Sequence, residues 1–246
     1  MNYLAPLLYP LLKPDWAVSH DVSYGPDPQH LADTYLLNKP GLHPVMMFIH
    51  GGGWSSGDKA AYAGRAAKYA LAGFHVVSVN YRLATFDDPL THWPAQYADV
   101  SRAMGWCRKT ISDHICVGGD SAGGHLALML GTSPDRPHRI LNMFGPTDLS
   151  VLSSLICTLP LFGGKPADKT ACPVELMDAK FPPTVTMHGT SDATVPYSQA
   201  VELDQKLAEL GVVHKLVTFD GGHEFANLPW WRQELLEMRG LWWMMG

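Results

Sequence analysis

The sequence predicts an α/β fold, a mostly parallel sheet with helices on both faces, and three observations carry that prediction. Short apolar runs such as Val45–Ile49 and Phe74–Val79 alternate along the chain with longer segments whose apolar residues recur at helical spacing. The runs are continuous rather than alternating, as expected of strands buried on both faces. Residues able to do chemistry collect just after these runs, where open α/β sheets bind their ligands.

Length and composition narrow the classes further. A chain of 246 residues, 46% hydrophobic and 17% charged, suits one domain over 1–246 with a deep core. The net charge of -5 and the lack of a basic run argue against nucleic acid as a partner. A small molecule is the expected partner. Cys107, Cys116, Cys157 and Cys172 have no CxxC spacing and are expected as reduced thiols, although their number also allows two disulfides. Met1 to Leu12 is apolar but is interrupted by Pro6 and Pro10 and has no Lys or Arg ahead of it. Neither a signal peptide nor stable membrane insertion is expected, and a cytoplasmic location follows as the expectation.

In chain order, Asp21–Gly25 and His30–Leu37 read as two short strands around the turn residues Gly25-Pro26-Asp27-Pro28. The strand Val45–Ile49 then runs into His50-Gly51-Gly52-Gly53-Trp54. Three consecutive glycines are costly in chain entropy, so their bare amides are expected to serve a cleft. Trp54 is assigned to substrate binding as a pocket wall; that it simply covers the loop is the alternative. Asp58–Ala72 reads as a helix closed by Gly73, Phe74–Val79 as a buried strand, and Pro94–Arg108 as a helix with Pro94 in its first turn.

Ile115-Cys116-Val117 enters Gly119-Asp120-Ser121-Ala122-Gly123, and Leu126 to Met129 carries helix formers away from it. This is a strand, a sharp turn and a helix, which pushes the Ser121 hydroxyl out of the backbone. Ile140–Phe144 and Val185–Met187 make two more strands. Between them, about 150–183 forms a long connection with little period, expected as a small lid. Gln199–Leu210 reads as a helix and Lys215–Phe219 as the last strand, which leads into Asp220-Gly221-Gly222-His223. Pro229–Met245 is a helix expected to line one face with Leu235, Met238 and Trp242, packed on the sheet or, as a sharper reading, forming a homodimer contact.

A serine hydroxyl needs a base to take its proton and a third group to hold that base. With Ser121 first in the chain, an acid and then a base should follow it, each just past a late strand. Asp192 fits the acid and His223 the base; Asp148, also at a strand end, competes for the acid role but reads as a helix cap. Asp120 is expected to point away from the nucleophile as a structural hydrogen-bonding group. The Ala122 amide and amides of the Gly51 to Gly53 run would stabilise an oxyanion.

With His50-Gly51-Gly52-Gly53-Trp54, Asn80-Tyr81-Arg82-Leu83, Gly119-Asp120-Ser121-Ala122-Gly123-Gly124, Asp192 and Gly222-His223-Glu224-Phe225 in one order, the chain resembles the α/β-hydrolase superfamily. The likeness is to esterases of the hormone-sensitive-lipase-like group and to acetyl and feruloyl carbohydrate esterases. It spans about residues 20 to 230. The resemblance implies hydrolysis of a carboxylic ester through an acyl-enzyme on Ser121, with His223 as base and then acid, and Asp192 orienting it. Gly52, Gly53 and Ala122 would form the oxyanion hole, His50 would brace the loop, and no metal or organic cofactor is implied. The hormone-sensitive-lipase-like group usually carries a sizeable cap built partly from the N-terminus, whereas this leader is short; a small lid points to short acyl groups such as acetyl. An arylformamidase activity is the alternative, although that family usually has an aromatic residue where Gly53 stands. A hydrolase-fold protein that only binds ligands is the non-enzymatic alternative, and such proteins usually lack a member of the triad.

Overall fold

The computed structural model describes residues 15–152, 158–167, 169–225 and 228–245. The expectations for the leader and for Cys157, and part of the 150–183 connection, therefore lie outside the described residues. Among the described residues eight strands form one sheet: β1 (Trp16–Ser23), β2 (Leu31–Leu37), β3 (Val45–Ile49), β4 (His75–Val79), β5 (Ile115–Asp120), β6 (Arg139–Met143), β7 (Thr184–Gly189) and β8 (His214–Phe219). Their order across the sheet is β1-β2-β4-β3-β5-β6-β7-β8. The pairings β1 with β2 and β2 with β4 are antiparallel, and every other pairing is parallel.

Period-two geometry divides each central strand between two cores. Val45, Met47 and Ile49 of β3 face one apolar cluster, and Met46 and Phe48 face the other. All five are fully buried, each contributing roughly 1.5–3 kcal/mol of apolar transfer. On the first face lie α2 (Ala95–Thr110), α3 (Ala122–Gly131) and α6 (Ser198–Glu209), which supply Val100, Met104, Leu126, Leu130, Leu203 and Leu207. On the second lie α1 (Ala63–Leu71) and α7 (Trp230–Met245), which supply Ala66, Tyr69, Leu236 and Met244. The central strands read as continuous apolar runs because neither face meets water.

Some expectations shift. The first strand begins at Trp16 rather than Asp21, because β1 is an edge strand with mostly exposed side chains, and its apolar pattern is weak. Its pairing with β2 slips between Ser19 and Val22, where Asp21 takes φ +56. The helix expected over Asp58–Ala72 opens as a 3-10 turn, Lys59–Tyr62, capped by the Asp58 side chain, before α1 begins. The buried stripe of α7 is Leu236, Gly240 and Met244, not Leu235, Met238 and Trp242; Leu235 and Trp242 are about half exposed. Spacing of four residues puts Gly240 against Met187 and Leu141, and the absence of a side chain there lets the helix approach the sheet.

The described part of 150–183 contains α4 (Thr158–Phe162), a 3-10 turn at Lys169–Ala171 and α5 (Pro173–Leu176). Leu161, Ala171 and Cys172 are buried in the first core, and the Trp93 amide donates to the Leu161 carbonyl at 2.8 Å. Cys107, Cys116 and Cys172 are buried thiols, with burial pushing the first two up to about 12 and Cys172 up to about 11. Among the described residues no helix is long and apolar enough to cross a membrane.

Candidate active site

Among the described residues, three of the four non-glycine residues with positive φ stand beyond the C-terminal ends of parallel strands: Trp54 (φ +58), Ser121 (φ +51) and Phe144 (φ +43). Such a conformation strains any L side chain, so its repetition at one end of the sheet marks where geometry is being imposed. Ser121 sits between β5 and α3. Its amide donates to the Met143 carbonyl at 2.9 Å, and its carbonyl accepts from the His125 amide at 3.0 Å. The turn is possible because Gly123 has no side chain: a Cβ there would stand 2.0 Å from the Ile49 carbonyl oxygen.

The loop after β8 brings His223 to this serine. His223 Nε2 lies 2.9 Å from Ser121 Oγ, and His223 Nδ1 lies 2.8 Å from Asp192 Oδ2. Nδ1–H therefore donates to the carboxylate, leaving Nε2 to accept the serine proton. The Asp192 side chain is fully buried, and its other oxygen accepts from the Thr194 and Val195 amides at 2.9 and 2.8 Å. Burial alone would raise this carboxyl, but hydrogen bonds from His188, His223 and the Val195 amide outweigh it and hold the group well below the usual carboxylate range. Asp192 thus stays charged, which suits it to steady an imidazolium.

Sequence reasoning passed over two neighbours of this row. His188, fully buried at the end of β7, places Nε2 2.8 Å from the Val195 carbonyl and 3.3 Å from Asp192 Oδ2, so one N–H serves both oxygens. Its spacing of four residues before Asp192 was the available signal. Phe144 lies edge-on to the His223 ring with centroids 4.9 Å apart, and edge-on to Phe225 at 5.4 Å. Nothing in the residue string announces its backbone angle.

The glycine loop sorts its three amides. The Gly51 amide donates to Asp120 Oδ1 at 3.2 Å, and the Tyr62 hydroxyl donates to the same oxygen, so Asp120 is a structural hydrogen-bonding group as expected and Gly51 is occupied. Gly52 (φ +111) and Gly53 (φ +58) turn the chain sharply, and among the described residues their amides have no protein acceptor. The Ala122 amide, at the first turn of α3, is likewise left over by the helix ladder and carries the helix's partial positive charge. Free N–H groups of this kind can hold a developing oxyanion. His50 is buried, donates from Nδ1 to the Gly51 carbonyl at 2.8 Å and stacks on Tyr81, which supports the loop from below.

Trp54 requires a correction. It is 3% exposed, and its indole Nε1 donates to His125 Nδ1 at 3.2 Å, so it offers little surface to a substrate. Of its two sequence readings, covering the loop describes the geometry. Asp148 is also settled: it accepts from the Ser150 amide and hydroxyl and from the Cys172 thiol, as a turn cap does. Among the described residues no group of three or more His, Cys, Asp or Glu could hold a metal ion.

Residues 33–207 match the family model described as BD-FAE. The chain belongs to the BD-FAE family. Among curated proteins this BD-FAE chain is similar to a probable carboxylic ester hydrolase, LipM, of Mycobacterium tuberculosis, 29% identical over 223 residues that cover 76% of this chain and 51% of the relative. It is also similar to esterase LipC of the same organism, 26% identical over 224 residues covering 76% of this chain and 54% of the relative. The chain thus spans about half the length of these curated relatives. Among solved structures it superposes on a truncated form of a carbohydrate esterase from gut microbiota with a TM-score of 0.81 at 21% identity, covering 96% of this chain and 99% of that one. That likeness shows the fold, and the BD-FAE chain has the α/β-hydrolase fold expected from its sequence.

Proposed function

We propose that this chain hydrolyses carboxylic esters of short, acetyl-type acyl groups through a covalent acyl-enzyme on Ser121. The observation that carries the reading is the single row Ser121 Oγ, His223 Nε2, His223 Nδ1, Asp192 Oδ2, with both links under 3 Å. Ser121 Oγ attacks the acyl carbon while His223 takes its proton, and the carbonyl electron pair moves onto oxygen between the Gly52, Gly53 and Ala122 amides. Collapse breaks the ester C–O bond, and the imidazolium returns its proton to the departing alcohol. Water then repeats the sequence, deprotonated by His223, to release the acid and restore the serine hydroxyl. The names borne by the curated relatives support ester hydrolysis, and the small lid expected over about 150–183 is the ground for small acyl groups. A sugar as the alcohol side is part of the same reading.

Initial rates on p-nitrophenyl esters from acetate to dodecanoate test the acyl preference: kcat/KM is expected to fall as the chain lengthens. A clear preference for the long chains would overturn the short-acyl reading. Comparison of an acetyl ester with N-formylkynurenine separates the arylformamidase alternative. Labelling by a fluorophosphonate separates an activated serine from a site that only binds, since the latter would remain unlabelled.

A further inference from the structure

Behind the glycine loop lies a buried group of side chains that the proposed chemistry does not use. Trp54 follows Gly53 in the left-handed region at φ +58, and nothing about an indole favours that conformation. Two contacts hold it: its carbonyl accepts from the Ala84 amide at 2.8 Å, and its Nε1–H donates to His125 Nδ1 at 3.2 Å. His125 is fully buried on α3, four residues after Ser121. Its other nitrogen, Nε2, lies 2.9 Å from the Ala171 carbonyl in the insertion between β6 and β7.

These two bonds fix one tautomer. Nδ1 accepts, so Nε2 carries the hydrogen, and the imidazole is neutral with both nitrogens engaged. Trp93 completes the group, its ring 5.5 Å from that of His125 and its Nε1 3.3 Å from Thr170 Oγ1, again in the insertion. A contiguous line therefore runs from the insertion through His125 to Trp54, the residue that follows Gly53.

We propose that His125 is a positioning residue for the oxyanion hole, holding Trp54 so that the Gly52 and Gly53 amides stay aimed at the acyl oxygen, and that it fastens this loop to the insertion. The inference rests on the ester-hydrolase reading above. Loss of the Trp54–His125 bond leaves the triad intact but removes one of the two contacts that hold Trp54, leaving only the Ala84 hydrogen bond to its carbonyl. The consequence falls on the transition state, where charge sits on the oxygen, more than on the bound ester.

The test uses Trp54→Phe, which removes the N–H and keeps a ring, beside His125→Leu and the conservative His125→Gln. Rates on p-nitrophenyl acetate are taken per fluorophosphonate-reactive serine, so that unfolded protein does not count. Trp54→Phe and His125→Leu are expected to lower kcat by roughly tenfold to a hundredfold with KM changed less than about threefold. Affinity for a trifluoromethyl ketone, which forms a hemiketal oxyanion on the serine, should weaken in step with kcat, and His125→Gln should recover part of both. Trp54→Phe with kcat and ketone affinity within about twofold of the parent overturns the inference while the ester-hydrolase reading stands. A parent protein that neither turns over esters nor labels with the fluorophosphonate overturns that reading itself.

Discussion

Around Ser121 the chain holds strained backbone and buried charge in place with hydrogen bonds, whereas on the opposite side of the sheet α1 and α7 pack by apolar contact and ion pairing. At the first region lie Trp54, Ser121 and Phe144 with positive φ, and the fully buried Asp192 carboxylate. At the second, Tyr69, Ala66, Leu236 and Met244 close over β3, β5 and β7, and Arg65 and Lys68 of α1 pair with Glu237 and Glu234 of α7 at 2.8 and 2.6 Å. None of these α1 and α7 side chains touches Ser121, His223 or Asp192 in the contacts described above; the links from that core to the site are Met143, whose carbonyl accepts from the Ser121 amide, and Phe144, edge-on to His223. The difference separates two uses of the same sheet: one end sets reactive geometry at a cost in stability, and one face supplies stability that offsets it.

Substitutions should therefore divide cleanly between the two regions. The largest effect is expected of Ser121→Ala, a loss of turnover on the order of a millionfold with the melting temperature almost unchanged, read by ester hydrolysis and calorimetry. Asp192→Asn should cost on the order of ten thousandfold in kcat, because an amide cannot hold the His223 tautomer that leaves Nε2 able to accept. Either variant melting far below the parent would erase the contrast.

Acid should act on stability through His125. Burial pulls its imidazole down from the ordinary 6.5 to about 4, outweighing the Ala171 hydrogen bond, so the folded protein binds its proton only well below the pH at which the unfolded chain does. Between those values the unfolded state holds the extra proton. Stability is thus complete above about pH 6.5 and falls as the pH drops toward 4, by about 3 kcal/mol from this group alone. His50, also lowered chiefly by burial, acts in the same direction. Urea titrations across this range should show the slope, and His125→Gln should flatten it. A parent whose stability is level from pH 7 to pH 4.5 would contradict the buried neutral imidazole.

A smaller effect belongs to the other face. Arg65→Ala leaves Glu237 largely buried without its closest cation, and is expected to lower the melting temperature by roughly 4–8 °C, about 2 kcal/mol, with kcat per labelled serine unchanged. A drop in kcat per labelled serine would show that the two regions are coupled.

That Ser121, His223 and Asp192 come together was readable in the residues, for a physical reason. A nucleophile at a strand-to-helix turn needs flanking glycines, and an acid and base must follow at later strand ends, so Ser121, Asp192 and His223 could be placed from position alone. The alternation of Val45 to Ile49 between two cores was readable too, because burial on both faces leaves a continuous apolar run. The remainder depends on contacts between distant segments. Trp54 looked like a pocket wall because its partner, His125, is 71 residues away in sequence. The face of α7 was misread because apolar residues stand on both sides of that helix, and only the approach of Gly240 to Met187 decides which side turns inward. Edge strand β1 started earlier than its pattern suggested because the sheet, rather than its own side chains, fixes its extent.

The most direct test is mass spectrometry of the protein quenched during turnover of p-nitrophenyl acetate. One acetyl group on the peptide that contains Ser121 is expected, accumulating ahead of steady state and absent from Ser121→Ala. Turnover with no acetyl on Ser121, or an acetyl on another residue together with full activity in Ser121→Ala, would contradict the proposed mechanism.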